Sequence, residues 1–164
     1  MGLNVSGISN IEQTEEEGLF YLEISSEKTK YTNIHNYDEG WYDKTNESKD
    51  HVFRAGTYGG YSQFRNLVSL SIHGCSSEYI WDNEEEYIST PFIEIINFTD
   101  CEGYLGASVA EKLYSDFRVY ASRFAKYVYA NIEDVDDRND MIIIYDNWIK
   151  ALKVAKDNGI IIFN

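Results

Sequence analysis

The chain is poor in the residues that mark disulfide-bonded, disordered or membrane-spanning proteins. Cys75 and Cys101 are the only thiols among 164 residues, and Pro91 is the only proline. No positively charged, apolar leader opens the chain, and no apolar run approaches the length of a membrane span. We therefore expect a protein of the reducing cytosol. Aromatic residues make up 15 % of the chain, which is typical of a packed domain rather than of a disordered tail.

Positive charge is also scarce. The chain has 14 lysines and arginines against 28 aspartates and glutamates, which gives a formal net charge of −14. A field of this sign repels nucleic-acid backbones and anionic membrane surfaces, and it favours cationic partners. We therefore expect no nucleic-acid polymer and no membrane as a partner. The length fits one domain over residues 1–164.

A glycine-rich segment concentrates the residues that are rare elsewhere. Residues 53–65, Phe-Arg-Ala-Gly-Thr-Tyr-Gly-Gly-Tyr-Ser-Gln-Phe-Arg, hold three glycines, two tyrosines and two arginines. Glycines let backbone N–H groups approach a ligand, arginines bind carboxylate or phosphate, and tyrosines offer flat apolar surface. The residues that we predict to bind an anionic or planar ligand here are Arg54, Tyr58, Gly59, Gly60, Tyr61 and Arg65. In the alternative, the glycines make a tight turn and the arginines pair with surplus acids.

A second segment, Asp100-Cys101-Glu102-Gly103, places two carboxylates beside a thiol. Such a group can serve as acid and base, as metal ligands or as a nucleophile site, and Asp100 and Glu102 join the predicted ligand-binding residues. In the alternative, the two acids pair with Arg54 or cap a helix while Cys101 is buried. His35, His51 and His73 match no zinc spacing, so we predict neither a metal nor a cofactor.

Hydrophobic periodicity predicts an α+β fold, with about three amphipathic helices on a small sheet formed from N- and C-terminal strands. The predicted strands cover 2–8, 19–24 and 160–163, and residues 25–50 form a polar excursion or flap. The first helix starts just after the glycines and ends at His73-Gly74. Residues 75–90 form a polar segment, and 92–98 fit either a buried strand or two turns of helix.

Two further helices are predicted in the second half of the chain. One covers about 108–129, with Ser108 and Glu111 as a capping box. Residues 131–140 form a loop, and the last helix runs from Met141 to Ala155. Its lysines at 150, 153 and 156 complement the helix dipole, and Asn158-Gly159 supplies a left-handed stop.

Several motifs resemble a family of small uncharacterised proteins of bacteria and their phages. They are Gly2-Leu3-Asn4-Val5-Ser6, Phe53-Arg54-Ala55-Gly56-x-Tyr58-x-Gly60-Tyr61, Phe98-x-Asp100-Cys101-Glu102-Gly103 with Gly106, and Asp157-Asn158-Gly159-x-Ile161-x-Phe163. The resemblance implies a cytosolic protein of a phage or mobile element, in the host cytosol if it is phage-encoded. It implies no catalytic residues, because no activity is established for the family. Asn4 and Asn164 stand where the family would have an acid and a histidine.

Three hypotheses for the function follow. The first is a binder of a small anionic molecule, with a nucleotide signal of host defence as the candidate ligand. The second is an acidic inhibitor or immunity-type protein that binds a basic partner. The third is a hydrolase that uses Asp100, Cys101 and Glu102 with Arg54. The sequence leaves open the identity of the ligand and the oligomeric state, including a homo-oligomer.

Overall fold

A computed structural model describes residues 2–23, 37–98 and 102–164. It confirms the α+β class, with five α-helices and two antiparallel sheets over this part of the chain. The helices pack on the larger sheet, and the strands next to the two ends of the chain pair with each other in it, as the sequence predicts.

The larger sheet has four strands. In chain order the seven strands of the fold are β1 (Leu3–Ile8), β2 (Ile11–Thr14), β3 (Phe20–Leu22), β4 (Gly40–Lys44), β5 (Asp50–Gly56), β6 (Gly103–Gly106) and β7 (Ile160–Phe163). The four-stranded sheet has the order β5-β1-β7-β6, and every neighbouring pair is antiparallel. The remaining strands form the smaller sheet, in the order β2-β4-β3.

Three long helices and two short ones complete the fold. They are α1 (Tyr58–His73), α2 (Ser77–Asp82), α3 (Ile93–Ile96), α4 (Ala107–Asn131) and α5 (Val135–Ala155), with a 3₁₀ turn at Glu84–Tyr87. α5 packs across β1 and β5, and α4 packs against both α5 and α1. One face of the larger sheet is therefore covered by helices.

The main core lies between that face and the helices. Trp148 of α5 is fully buried at its centre, with its ring near the rings of Phe53, Tyr61, Phe117 and Phe163. The close approach of α5 to β1 depends on Gly7, because a Cβ at that position would lie 2.3 Å from the backbone oxygen of Ala151.

A second, smaller core lies on the other face of the same sheet. Ile8, Ile160 and Ile162 of the larger sheet pack there with residues of the smaller sheet and its neighbours. Those partners are Ile11, Phe20, Leu22, Tyr37 and Tyr42. Alternation along β1 and β7 thus divides their side chains between two cores.

Several predicted boundaries were wrong for identifiable reasons. The first helix starts at Tyr58, before the glycine pair, because the Thr57 hydroxyl accepts a hydrogen bond from Gly60 N at 3.0 Å and caps the helix. The capping box at Ser108 is not formed, since α4 begins at Ala107 with Gly106 as its cap. α5 begins at Val135 within the predicted loop, because Asp134 accepts hydrogen bonds from the next backbone amides.

Other predictions held or were incomplete. The first helix ends at His73 with Gly74 at φ 74°, and Asn158 adopts a left-handed conformation with φ 50° after α5. The predicted excursion at 25–50 contains β4 and the start of β5, whereas its part up to residue 36 lies outside the described residues. β2 was not predicted, and 75–98 hold α2, the 3₁₀ turn and α3.

Candidate functional site

The two arginines of the glycine-rich segment belong to different layers of the protein. Phe53 and Ala55 of β5 point into the main core, so Arg54 between them points to the opposite face of the sheet, where it is exposed. Arg65 lies on α1, which packs in the helical layer, and only 5 % of it is exposed. The structure therefore does not bring Arg54 and Arg65 into one pocket.

Arg54 belongs to a row of polar residues that crosses the larger sheet. Asn4 of β1 is opposite Arg54, and Asn4 exchanges two backbone hydrogen bonds of 2.8 and 2.9 Å with Asn164. Because Gly103 of β6 is opposite Phe163, Glu102 comes beside Asn164 at the sheet edge. The order Arg54, Asn4, Asn164, Glu102 thus runs from one edge of the sheet to the other, and all four residues are exposed.

The Arg54 guanidinium lies against the backbone at Gly2. A Cβ at Gly2 would lie 1.9 Å from Nη2 of Arg54 and 2.3 Å from Cζ, so the guanidinium occupies the space that a side chain at position 2 would need. Among the described residues no ion pair joins Arg54 to a carboxylate. Its donors are therefore available to an external anion.

A cavity of about 410 Å³ opens on the same face of the sheet. Its lining residues are Ser6, Ile8, Leu19, Phe20, Lys44, Asp50, Val52, Tyr104, Ile162 and Asn164. Val52 precedes Arg54 by two residues on the same face of β5, and Asn164 lies one strand beyond Asn4. The polar row therefore adjoins one end of the cavity.

The walls of this cavity combine aromatic and polar groups. The rings of Phe20 and Tyr104 lie with centroids 5.3 Å apart, and the Tyr104 hydroxyl donates to Tyr21 O at 3.3 Å. Lys44 and Asp50 form an ion pair at the end farther from Arg54 along β5. Flat apolar surface with a few polar groups at its margins is typical of a small-molecule site.

Arg65 has a structural environment. Its Nη1 donates to Phe98 O at 2.7 Å, and its guanidinium carbon lies 4.9 Å from the Tyr61 ring centroid and 5.3 Å from that of Trp81. No ion pair with a described carboxylate is formed. Two aromatic faces and one carbonyl thus hold this buried cation, and the bond to Phe98 fixes the chain just before the Asp100 motif.

The remaining glycine-segment residues form the first turn of α1. Tyr58 is 43 % exposed and Gly59 is exposed, whereas Tyr61 is buried in the main core with 1 % exposure. Gly60 donates its N–H to the cap residue Thr57. The Thr57 side chain therefore caps the Gly60 amide, and Tyr61 is placed to pack and not to contact a ligand.

The Asp100 motif is only partly described. Asp100 and Cys101 lie outside the described residues, so their predicted roles stay predictions. Glu102 is separated from Arg54 by β1 and β7, which puts their backbones about 14 Å apart. No ion pair joins Glu102 to Arg54, so that suggested pairing is not formed.

The histidines do not come together in the part of the chain that is described. His51 Nε2 lies 3.0 Å from Asn147 Oδ1, and His73 Nε2 lies 2.8 Å from Pro91 O, while His35 falls outside that part. The described residues contain no group of three or more His, Cys, Asp or Glu side chains that could hold a metal ion.

Sequence reasoning missed most of the cavity. Asn4, Ser6 and Asn164 enter the sequence predictions only through the resemblance to a family, and Val52 and Tyr104 do not enter them. Alternation in Leu3–Ile8 and Asp50–Gly56 was the available signal. It separates residues that face the helices from residues on the opposite face of the larger sheet, which we call the open face. Strand pairing, which joins positions 4, 54 and 164, is not visible in one sequence.

Comparisons with protein-family models, with curated proteins and with solved structures found no match to this chain. No helix among the described residues is long and apolar enough to span a bilayer.

Proposed function

We propose that the protein binds a small anionic molecule on the open face of its larger sheet, with Arg54 as the residue that contacts the negative charge. The observation that carries this proposal is the part of the polar row formed by Arg54, Asn4 and Asn164, which lies beside the 410 Å³ cavity, with Glu102 at the opposite edge of the sheet from Arg54. Arg54 has no described carboxylate partner in a chain with twice as many acids as bases. Such an arginine, whose guanidinium lies against Gly2, can bind a phosphate or carboxylate group without first breaking an ion pair with a described acid.

The lining of the cavity and the residues beside it support a ligand with an anionic end and a flat part. Arg54 and the two asparagines would bind the anionic end, since amide N–H₂ groups donate hydrogen bonds to oxyanions. The apolar walls of Phe20, Tyr104 and Val52 would contact a planar group. A nucleotide has both parts, and it is the ligand class that we propose.

The resemblance to phage and bacterial proteins suggests a biological setting for such binding. In that setting the protein would sequester a nucleotide signal that the host uses in defence. A binder of this kind needs no catalytic group. The candidate ligands are therefore cyclic and NAD-derived nucleotides as well as ordinary ones.

A thermal-shift screen with these nucleotides tests the proposal. A ligand at 100-fold excess over its Kd stabilises by about 2.7 kcal/mol, which for a chain of this size corresponds to a rise in Tm of roughly 5–10 °C. We expect Arg54→Gln to abolish the rise and Arg54→Lys to keep part of it. Lys126→Gln is the matched control, because Lys126 is an exposed cation on α4. A panel that leaves the Tm of the wild type unchanged would refute the proposal.

A second candidate function rests on the acidic surface. Glu84, Glu85 and Glu86 are consecutive and exposed on the 3₁₀ turn, and they add to the net charge of −14. An inhibitor that binds a basic protein would use such a surface. Its affinity should then fall steeply with ionic strength, and Arg54→Gln should leave that affinity unchanged or increase it.

A further inference from the structure

A second cavity, of about 360 Å³, lies beside α5 and is bordered by basic side chains. Its lining residues are Ser9, Lys49, Asp50, His51, Lys150, Lys153, Val154 and Asp157. His51 has the opposite strand parity to Val52 and Arg54, so this cavity lies toward the helical side of β5. It is therefore separate from the cavity of the proposed function, although Asp50 borders both.

The three lysines of the lining have no acidic partner within the described residues. Of the two acids in the lining, Asp50 is in contact with Lys44, and Asp157 has an oxygen 3.5 Å from Nζ of Lys156. Lys44 and Lys156 are not lining residues. Lys49, Lys150 and Lys153 form no ion pair with a described carboxylate.

An uncompensated group of cations is unexpected in this chain. Lysines and arginines number 14 against 28 acids, so a lysine placed without selection would have an acid nearby more often than another base. The two lining acids already compensate lysines outside the cavity. The lining itself holds three lysines and two acids, and each of these acids also contacts a lysine outside the lining, on a protein of net charge −14.

The helix dipole explains only part of this arrangement. Lys150 and Lys153 lie three residues apart on α5, near its C-terminal end, where cations are favoured. Lys49 comes from the turn before β5, about 100 residues earlier in the chain, and the dipole gives no reason for its position. A ligand that binds all three ammonium groups would account for the position of Lys49.

The backbone at Lys49 is fixed by hydrogen bonds. Ser9 is 3 % exposed, and its Oγ accepts from Lys49 N at 2.9 Å and lies 3.5 Å from Lys49 O. Ser9 N donates to Lys49 O at 2.9 Å. The root of the Lys49 side chain is thus held in place, so less entropy is lost when its ammonium group binds an anion.

We propose that this cavity binds a molecule with two or more adjacent phosphate groups, which Lys49, Lys150 and Lys153 contact as point charges. Ammonium groups on flexible stems suit the spread charge of a diphosphate or triphosphate. A volume of 360 Å³ falls within the range of small-molecule sites. The proposal does not depend on the function proposed for the Arg54 face.

Isothermal titration calorimetry with inorganic pyrophosphate and with inorganic triphosphate tests it. We expect the wild type to bind triphosphate more tightly than pyrophosphate, with an affinity that falls as salt rises. Lys150→Gln with Lys153→Gln should weaken binding at least about tenfold, which corresponds to about 1.4 kcal/mol. Lys126→Gln, the exposed control on α4, should leave it unchanged.

Lys49→Gln provides the variant that does not alter a helix. Lys49 lies between β4 and β5 and outside every described helix, so a loss of affinity in this variant cannot arise from a change in the charge on α5. Absence of pyrophosphate and triphosphate binding by the wild type would overturn the proposal, and so would equal weakening by Lys126→Gln. Arg54→Gln should retain this binding, which separates failure here from failure of the proposed function.

Discussion

The two faces of the larger sheet use the same strands for different purposes. On the helical face, Val5, Phe53, Ile161 and Phe163 meet α1, α4 and α5 in a continuous core. On the other face, the smaller sheet covers Ile8, Ile160 and Ile162, while the polar row stays exposed, with Arg54, Asn4, Asn164 and Glu102 as its members. The helical face therefore contributes to the larger of the two hydrophobic cores, and part of the opposite face stays exposed.

The two arginines show this division most clearly. Arg65 is buried between Tyr61 and Trp81 and donates to a backbone carbonyl, whereas Arg54 is exposed over Gly2. Both come from one glycine-rich segment of 13 residues. One is expected to support the fold and the other to contact a ligand.

Substitution of an aromatic residue on each face should give the largest difference in the free energy of unfolding. Trp148→Ala removes a fully buried ring from the main core, and we expect a loss of about 3–5 kcal/mol in the free energy of unfolding. Phe20→Ala removes a ring that borders the 410 Å³ cavity, and we expect a loss of less than about 3 kcal/mol because part of the ring faces the cavity and not other side chains. Urea denaturation of both variants measures the difference, and a larger loss for Phe20→Ala would contradict the comparison.

Substitution of the two arginines should give the second-largest difference in the free energy of unfolding. Arg65→Ala leaves the Phe98 carbonyl without its donor and opens a space between two rings, so we expect a loss of about 2–4 kcal/mol. Arg54→Ala should change the free energy of unfolding by no more than about 0.5 kcal/mol. Equilibrium unfolding measures both, and a large effect of Arg54→Ala would assign Arg54 to the fold.

Substitution of two glycines should give a smaller difference in stability. A Cβ at Gly7 would meet the backbone of Ala151 at 2.3 Å, whereas one at Gly2 would meet only the movable end of the Arg54 side chain. We expect Gly7→Ala to destabilise by about 1–3 kcal/mol and Gly2→Ala to have little effect on stability. Thermal unfolding of both variants measures these effects on stability. The ligand affinity of Gly2→Ala is a separate test, since this substitution should displace the Arg54 guanidinium and weaken binding.

Alkaline pH should act on the smaller core through Tyr37. Burial raises the pKa of Tyr37 to about 12, and its hydroxyl donates to Gly159 O at 2.7 Å. The unfolded chain loses this proton near pH 10 while the folded chain keeps it, so stability should decline as pH rises from 10 to 12. Tyr37→Phe should cost about 1 kcal/mol at pH 8 and make that decline shallower. Denaturation at pH 8, 10 and 11.5 would show an unchanged slope if Tyr37 were not involved.

The sequence was sufficient for the parts of the fold that depend on local pattern. The stripe of Leu113, Phe117 and Phe124 predicted α4, and the left-handed Gly74 and Asn158 ended two elements as expected. Helix starts were less predictable, since Thr57 and Asp134 act as caps within polar stretches that resemble loops.

The face that we propose for ligand binding was not predictable in this way. Arg54 was identified from composition, but its partners Asn4 and Asn164 lie 50 and 110 residues away and meet it only through the pairing of three strands. Arg65 was grouped with Arg54 because the two are close in sequence. The reversal of side-chain direction along β5, followed by the turn into α1, places them in different layers.

Mapping of backbone amide shifts by NMR tests the central claim most directly. The nucleotide that stabilises the protein most in the thermal-shift screen is titrated into ¹⁵N-labelled wild type and Arg54→Gln. We predict that the largest shifts in the wild type occur at Ser6, Val52, Tyr104 and Asn164, and that they are lost in Arg54→Gln. Largest shifts along α1 or α4, or an unchanged pattern in Arg54→Gln, would contradict the assignment of the open face as the binding face.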